Sequence, residues 1–250
     1  MEVFVLGSGV GVPNMKRTYP GLFVRTGIES ILIDPGPGSI RQLLKLGFNY
    51  NDLDSIIFTH FHPDHCLDFI SFLFACKYPL LPRTKSLSVV GALGLKSFYK
   101  GILGVFGDAI IPEKYELHLE EAEEGTIRGD KTELTVKPVV HSSNSIGIRY
   151  RDPYGKTVCY SGDTDYCDNI IELARKADLV ILECSFPDGG KVKGHLTPSY
   201  AGRIARKANA KRVVLTHLYP VCDGYDILAQ CKKEFSGEIQ IASDLMRIEV

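Results

Sequence analysis

Several things are missing from this chain, and each absence narrows its class. There is no Cys-x-x-Cys pair among the seven cysteines, which removes the paired-thiolate zinc ribbon and the dithiol redox motif. Seven is also an odd number for a disulfide framework. Cys66, Cys76, Cys159, Cys167, Cys184, Cys222 and Cys231 are distributed through the chain, several of them inside apolar runs. There a free thiol behaves as a small hydrophobe, so reduced, buried cysteines and a cytoplasmic location are expected. Neither sign of charge is in excess: 29 basic and 30 acidic residues leave a formal net charge of −1. No global field therefore draws the protein to nucleic acid or to an anionic membrane, although a local basic patch is compatible with this balance. No stretch approaches the ~20 apolar residues that span a bilayer. The opening MEVFVLGSGVGVP enters a strand pattern directly, without the charged leader and apolar core of a secretion signal. Linkers, low-complexity tracts and short-period repeats are absent too, so the 250 residues read as a single domain, 1–250, able to bury a substantial core.

What is present is a regular succession of short elements. Strands are predicted at Val3–Leu6, Gly21–Arg25, Ser30–Ile33, Ser55–Phe58 and Leu87–Val90, with helical spacing at Ile40–Leu46, Cys66–Cys76 and Leu95–Leu103. The second half repeats the style. Strands fit Tyr115–Leu119, Glu133–Val140, Ser145–Arg151, Thr157–Tyr160, Leu179–Leu182, Arg212–Thr216 and a final Glu238–Ala242. Helices fit Asp168–Lys176, Pro198–Ala208 and Tyr225–Phe235. Each half moves from antiparallel strands to strand–helix alternation, which suits an α/β protein of two face-to-face sheets with helices outside. The apolar, glycine-rich Gly101–Pro112 is poorly periodic and reads as a loop, with a lid over the active site or a homodimer contact as its functional alternatives.

Six of the seven histidines fall in short polar motifs, each just after an apolar strand-like run or in the turn that follows one. Only His118, within YELHLEE, looks like an ordinary strand residue. The densest motif is Thr59-His60-Phe61-His62-Pro63-Asp64-His65. Three imidazoles and a carboxylate so close together make a costly core unless something binds them. Neutral imidazole and carboxylate are the donors that zinc and similar divalent ions take. His60 and His62 can point the same way from an extended turn. Asp64 and His65, entering a helix, can aim at a second ion about 3.5–4 Å away.

His60-x-His62-x-Asp64-His65 resembles the signature of the metallo-β-lactamase superfamily. Later motifs follow in that family's order: His141, Asp163 in Tyr160-Ser161-Gly162-Asp163-Thr164, and His217 in Val214-Leu215-Thr216-His217. Ile33-Asp34-Pro35-Gly36 is similar to the early Asp-x-Gly turn, so the resemblance covers nearly the whole chain. It implies a four-layer αββα sandwich, in agreement with the element order. It implies that His60, His62 and His141 hold one cation, that Asp64, His65 and His217 hold the other, and that Asp163 bridges them. Asp34 would hydrogen-bond ligands from outside the set. Two Zn2+ are the expected cofactors, with Mn2+ or Fe2+ able to accept the same donors. A water between such ions has its pKa lowered to about 7, which supplies hydroxide for hydrolysis.

Four details refine the expected class. A flavin-linked di-iron relative would carry glutamate at His62, and a true β-lactamase would carry cysteine at Asp163. Glu183, in Ile181-Leu182-Glu183-Cys184, and His195, in Gly194-His195-Leu196-Thr197, resemble the acidic and His-x-Thr motifs of the ribonuclease Z branch. By that likeness they join Asp64 as catalytic residues, His195 protonating the leaving oxygen; the bland alternative for His195 is a neighbour of a Thr197 helix cap. Finally, ribonuclease Z enzymes grip tRNA with a long arm between the counterparts of His141 and Asp163, whereas residues 142–162 suffice only for two strands and a turn. The expected function is therefore a metal-dependent phosphodiesterase acting on a small phosphodiester or nucleotide-derived substrate, with RNA as a less favoured partner. The alternatives are a tRNA 3′-processing endoribonuclease, a carboxylic-ester, thioester or lactone hydrolase, and a catalytically silent metal-binding scaffold. Gly7-Ser8-Gly9-Val10-Gly11 lacks the following helix that a dinucleotide loop needs. Lys16, Arg17, Ser142, Ser143 and Ser145 are candidate substrate contacts.

Overall fold

A computed structural model describes residues 1–129 and 131–250 of the chain. Six strands of the first half, β1 (Glu2–Gly7), β2 (Gly21–Arg25), β3 (Ser30–Ile33), β4 (Ser55–Phe58), β5 (Leu87–Gly91) and β6 (Leu117–Glu121), form one sheet in chain order. The second sheet takes β7 (Gly125–Arg128), β8 (Glu133–Pro138), β9 (Ile146–Arg151), β10 (Thr157–Tyr160), β11 (Leu179–Glu183), β12 (Arg212–Thr216) and β13 (Glu238–Ile241), also in order. A last strand, β14 (Met246–Glu249), returns to the first sheet and pairs antiparallel with β1, Val3 opposite Ile248. In each sheet an antiparallel meander passes into parallel strands: β3 to β6 in the first, β10 to β13 in the second.

Strict alternation along the strands explains the layers. Val3 and Val5 of β1 face Val136, Ile148 and Val158 of the other sheet, in a core shared by both. Phe4 and Leu6 of the same strand point outward, onto α1 (Ser39–Lys45), α3 (Asp68–Ala75) and α4 (Leu95–Phe106), through Leu43, Phe69 and Leu95. The second sheet is covered likewise by α5 (Asp168–Ala174), α6 (Pro198–Ala208) and α7 (Ile227–Lys232), through Ile170, Ile204 and Cys231. Central strands buried on both faces must be apolar throughout, which is why they read as continuous hydrophobic runs. The result is the expected αββα sandwich. Among the described residues, no helix is long and apolar enough to cross a membrane.

Three readings need correction. Gly101–Pro112 is not a loop: α4 runs on to Phe106 and a 3-10 turn, Gly107–Ile110, follows. Leu95 and Ile102 bury one helical stripe, while Val105 and Phe106 are exposed, so the last turn shows no apolar period. Two strands escaped notice, Gly125–Arg128 and Met246–Glu249; both are edge or near-edge segments with half their residues polar. Glu238–Ile241 is therefore not the final strand. Asp64 and His65 lie within a one-turn helix, α2 (Pro63–Cys66), rather than in the turn before it.

Parallel strands direct their carboxyl ends to the same edge of each sheet, where ligands of open α/β sheets collect. The chain turns sharply there. Asp34 after β3 and His217 after β12 both adopt left-handed backbone, φ 47° and 57°, at a cost of about 1–2 kcal/mol each. Just beyond Asp34, Gly36 packs against α2 so closely that a methyl group would overlap the carbonyl oxygens of Asp64 and Pro20. Gly36→Ala should thus lower the unfolding free energy by about 1–3 kcal/mol, read by denaturant titration. Unchanged stability would mean that the Asp34 turn does not brace α2.

Candidate metal centre

All seven expected ligands converge at this edge, from four separate segments. His60 follows β4, His62 precedes α2, Asp64 and His65 lie within it, His141 follows β8, Asp163 follows β10 and His217 follows β12. Donor atoms of His60, His62, His141 and Asp163 lie within 4.8 Å of one another, as do those of Asp64, His65 and His217. Asp163 stands between the groups. Its Oδ2 is 3.8 Å from His60 Nε2 and 3.6 Å from His141 Nε2. Its Oδ1 is 3.4 Å from His65 Nε2 and 3.3 Å from His217 Nε2. One oxygen thus faces each set.

Hydrogen bonds on the far side of the rings decide which nitrogens face inward. Thr59 Oγ1 lies 2.6 Å from Asp34 Oδ2 and must donate to it, because a carboxylate only accepts. The same hydroxyl therefore accepts from His60 Nδ1–H, at 3.1 Å. Asp34 Oδ2 also accepts from His65 Nδ1–H at 3.0 Å, and its Oδ1 from the Thr59 backbone at 2.7 Å. His141 Nδ1–H donates to the Gly194 carbonyl at 2.9 Å, and His217 Nδ1–H to Ser185 Oγ at 2.9 Å. With Nδ1 engaged in this way, the rings of His60, His65, His141 and His217 turn Nε2 to the centre. His62 offers Nδ1 instead, 3.1 Å from His141 Nε2.

Ring nitrogens this close need a proton or a cation between them. His65 Nε2 and His217 Nε2 are only 3.2 Å apart. His60 Nε2 and Asp163 Oδ1 are buried without a hydrogen-bond partner among the described residues, an omission that ordinarily costs about 1–3 kcal/mol per group. Divalent cations satisfy the orphaned atoms and the facing lone pairs together, so the residues fit the expected metals. Burial holds His60 well below the ordinary imidazole range, and it lowers His141 as well. His65 is the exception. Complete burial works against its charge, but the carboxylates of Asp163 and Asp34 raise it well above the ordinary value. Burial opposes the Asp163 carboxylate too, yet the imidazoles of His217 and His65 hold it well below the ordinary range.

Asp34 stands behind the rings as expected, both oxygens committed to Thr59 and His65. Glu183, the last residue of β11, is fully buried, and its Oε1 accepts from His195 Nδ1–H at 2.9 Å. The His195 ring lies 4.8 Å from that of His141 and 5.9 Å from that of His217. Burial opposes its protonation, but Glu183 outweighs this and raises it above the usual value. Thr197 makes no side-chain cap to α6, so His195 is not explained as part of a helix cap. Lys16 pairs with Asp223 at 3.0 Å, and Arg17 ties Ser8 Oγ to the Ala242 carbonyl, so both candidate phosphate contacts are engaged elsewhere. Ser142 and Ser145 bond each other at 2.7 Å. The Gly7–Gly11 loop passes over Asp64: a Cβ on Gly11 would lie 3.3 Å from its carboxylate. His118 is exposed, its Nε2 3.3 Å from Glu116 Oε2.

Thr59 and Ser185 are functional positions that sequence reasoning passed over. A hydroxyl beside a ligand carries no motif of its own. Gly162 gives an indirect signal: φ is 55° and a Cβ there would come within 2.7 Å of Thr59 Oγ1, so the glycine before Asp163 makes room for that hydroxyl.

A family model described as a β-lactamase superfamily domain matches residues 29–218. The chain belongs to the metallo-β-lactamase superfamily. Proteins named ribonuclease Z are among those it is similar to. Ribonuclease Z of Methanothermobacter thermautotrophicus is 25% identical over 302 positions, which span 100% of this chain and 97% of that protein. An uncharacterised protein of Mycobacterium tuberculosis is 31% identical over 249 positions, 96% of this chain and 88% of that one. Among solved structures, the metallo-β-lactamase-fold protein YhfI from Bacillus subtilis superposes with a TM-score of 0.87 at 26% identity, covering 100% of this chain and 99% of that one. The short form of human tRNase Z shares the fold, with a TM-score of 0.79 at 24% identity and coverage of 100% and 99%. This protein is accordingly a superfamily hydrolase with a histidine–aspartate metal site.

The carboxylates of Asp163 and Asp34 favour the protonated form of His65 against its burial, so cation entry at that ring should be coupled to proton release. Titration calorimetry with Zn2+ in buffers of different ionisation enthalpy should show proton release at pH 7. Metal uptake with no proton released would contradict this charge assignment.

Proposed function

We propose that the protein is a phosphodiesterase, with two divalent cations, zinc first among them, held by His60, His62 and His141, by Asp64, His65 and His217, and by Asp163 between them. Bound there, such a pair supplies an attacking water ionised near neutrality and positive charge for the phosphoryl oxygens. The chain's own contribution is positioning and proton supply. Four imidazoles are oriented by hydrogen bonds from Nδ1 to Asp34, Thr59, Gly194 and Ser185, which leaves Nε2 for the donor set.

One observation favours a phosphodiester above all: His195 is an imidazole additional to the seven expected ligands, with a ring nitrogen within 4.8 Å of donor atoms of Asp163 and His217, and it is held by a buried carboxylate. Glu183 occupies Nδ1, so Nε2 is the atom that carries a transferable proton towards the centre. Expelling an alkoxide from phosphorus needs such a donor, typically for 10²–10⁴-fold of rate. Full-length similarity to proteins named ribonuclease Z supports the same bond type. The alignment with the Methanothermobacter enzyme runs to 302 positions against 250 residues here, so that relative carries sequence for which this chain has no counterpart. Residues 142–162 hold only β9, β10 and their turn. Without an arm, and with a net charge of −1, a small or nucleotide-derived phosphodiester is a better substrate than tRNA.

His195→Ala should keep its metal and lose about 10²–10⁴-fold in kcat on an alkyl or nucleoside phosphodiester. The loss should be much smaller on a p-nitrophenyl phosphodiester, whose leaving group needs no proton. Equal losses on both would remove the general-acid role. Turnover of acyl esters but of no phosphodiester by the metal-loaded protein would replace the proposal with an esterase.

A further inference from the structure

Ser185 is fully buried and lies between two histidines of different assignment. Its Oγ is 2.7 Å from Glu183 Oε2, 2.9 Å from His217 Nδ1 and 3.1 Å from His195 Nδ1. A hydroxyl has one proton to give and two lone pairs to receive. All three are used here. Since Glu183 can only accept, the hydroxyl proton goes to it; His217 must then present Nδ1–H to the serine, while the one Nδ1–H of His195 is shared between Ser185 Oγ at 3.1 Å and Glu183 Oε1 at 2.9 Å.

From this geometry we infer that Ser185 is a positioning residue which ties a candidate metal ligand, His217, and the proposed proton donor, His195, to the single carboxylate of Glu183. The His195 part rests on the phosphodiesterase reading; the His217 part does not. Glu183 is saturated in turn. Oε1 accepts from the Thr164 backbone at 2.9 Å and from His195, and Oε2 accepts from both the backbone and the hydroxyl of Ser185. Thr164 adjoins Asp163, so the same carboxylate also anchors the segment that carries the bridging aspartate.

The first sheet holds a matching device. Asp34 takes the place of Glu183, Thr59 that of Ser185, and His60 that of His217: carboxylate to hydroxyl 2.6 Å, hydroxyl to imidazole 3.1 Å. In each, a second imidazole also bonds the carboxylate directly, His65 at 3.0 Å and His195 at 2.9 Å. The difference is functional. In the first sheet both imidazoles belong to the donor set, whereas in the second only His217 does. The Ser185 hydroxyl therefore contacts a candidate metal ligand and the proposed proton donor at once.

Ser185→Ala removes the acceptor while sparing volume, and Ser185→Thr restores a hydroxyl. Histidine-ring 15N–1H correlation spectra of the metal-free protein read the tautomers directly. Wild type should show His217 and His195 protonated at Nδ1, and Ser185→Ala should shift His217 towards Nε2–H. Affinity for Zn2+, measured by competition with a chromophoric chelator, should fall about 10–100-fold and recover in Ser185→Thr. On an alkyl phosphodiester, Ser185→Ala should add little to the loss already caused by His195→Ala. A folded Ser185→Ala protein with wild-type tautomers and wild-type affinity overturns the inference. If His195→Ala fails its own test while Ser185→Ala still weakens Zn2+ binding and shifts His217, the phosphodiesterase reading falls and the link to His217 stands.

Discussion

Burial of polar groups that cannot satisfy one another is the constraint on which this structure turns. Imidazole nitrogens and carboxylate oxygens meet at the common edge of two sheets, at separations of 3.2–3.8 Å. These are too long for most to be good hydrogen bonds and too short to be indifferent. A protein interior tolerates that only where something else supplies the missing charge. Divalent cations do so with the donor types present, and the left-handed turns at Asp34 and His217 are the local cost of bringing those donors together.

The sandwich serves this edge in a consistent way. Each sheet places a carboxylate just past a strand, Asp34 after β3 and Glu183 at the end of β11, and each carboxylate works through one hydroxyl and two imidazoles. Because those carboxylates and hydroxyls are themselves buried and hydrogen-bonded, they hold the ring orientations from within the fold. Preorganisation of this kind is what makes outer partners matter nearly as much as ligands in metal sites. It also separates roles among like residues. His65 and His195 both bond a carboxylate, yet His65 belongs to the expected donor set, its Nε2 3.2 Å from His217 and 3.4 Å from Asp163, and His195 does not.

Much of this was legible in the sequence, for identifiable reasons. His60, His62, Asp64 and His65 are local, so their spacing alone announced a cation site. His141, Asp163 and His217 are distant in the chain, and family likeness rather than periodicity joined them. The central strands were readable because burial on both faces leaves uninterrupted apolar runs, while Gly125–Arg128 and Met246–Glu249, half polar at or near the sheet edges, left no such trace. The end of α4 was misread because its exposed Val105 and Phe106 hide the helical period. Thr59 and Ser185 could not be found at all. Their importance lies in which atom must donate to which, and that is visible only once Asp34 and Glu183 stand beside them.

The central claim is that two divalent cations occupy the space between these side chains. Elemental analysis of protein loaded with Zn2+ and freed of excess metal tests it most directly, alongside His60→Ala and Asp163→Asn proteins treated identically. The account predicts two ions per wild-type chain, a lower content in His60→Ala, and the greatest loss in Asp163→Asn, whose carboxylate faces both sets. Wild-type protein without bound transition metal, or variants with undiminished content, would contradict it.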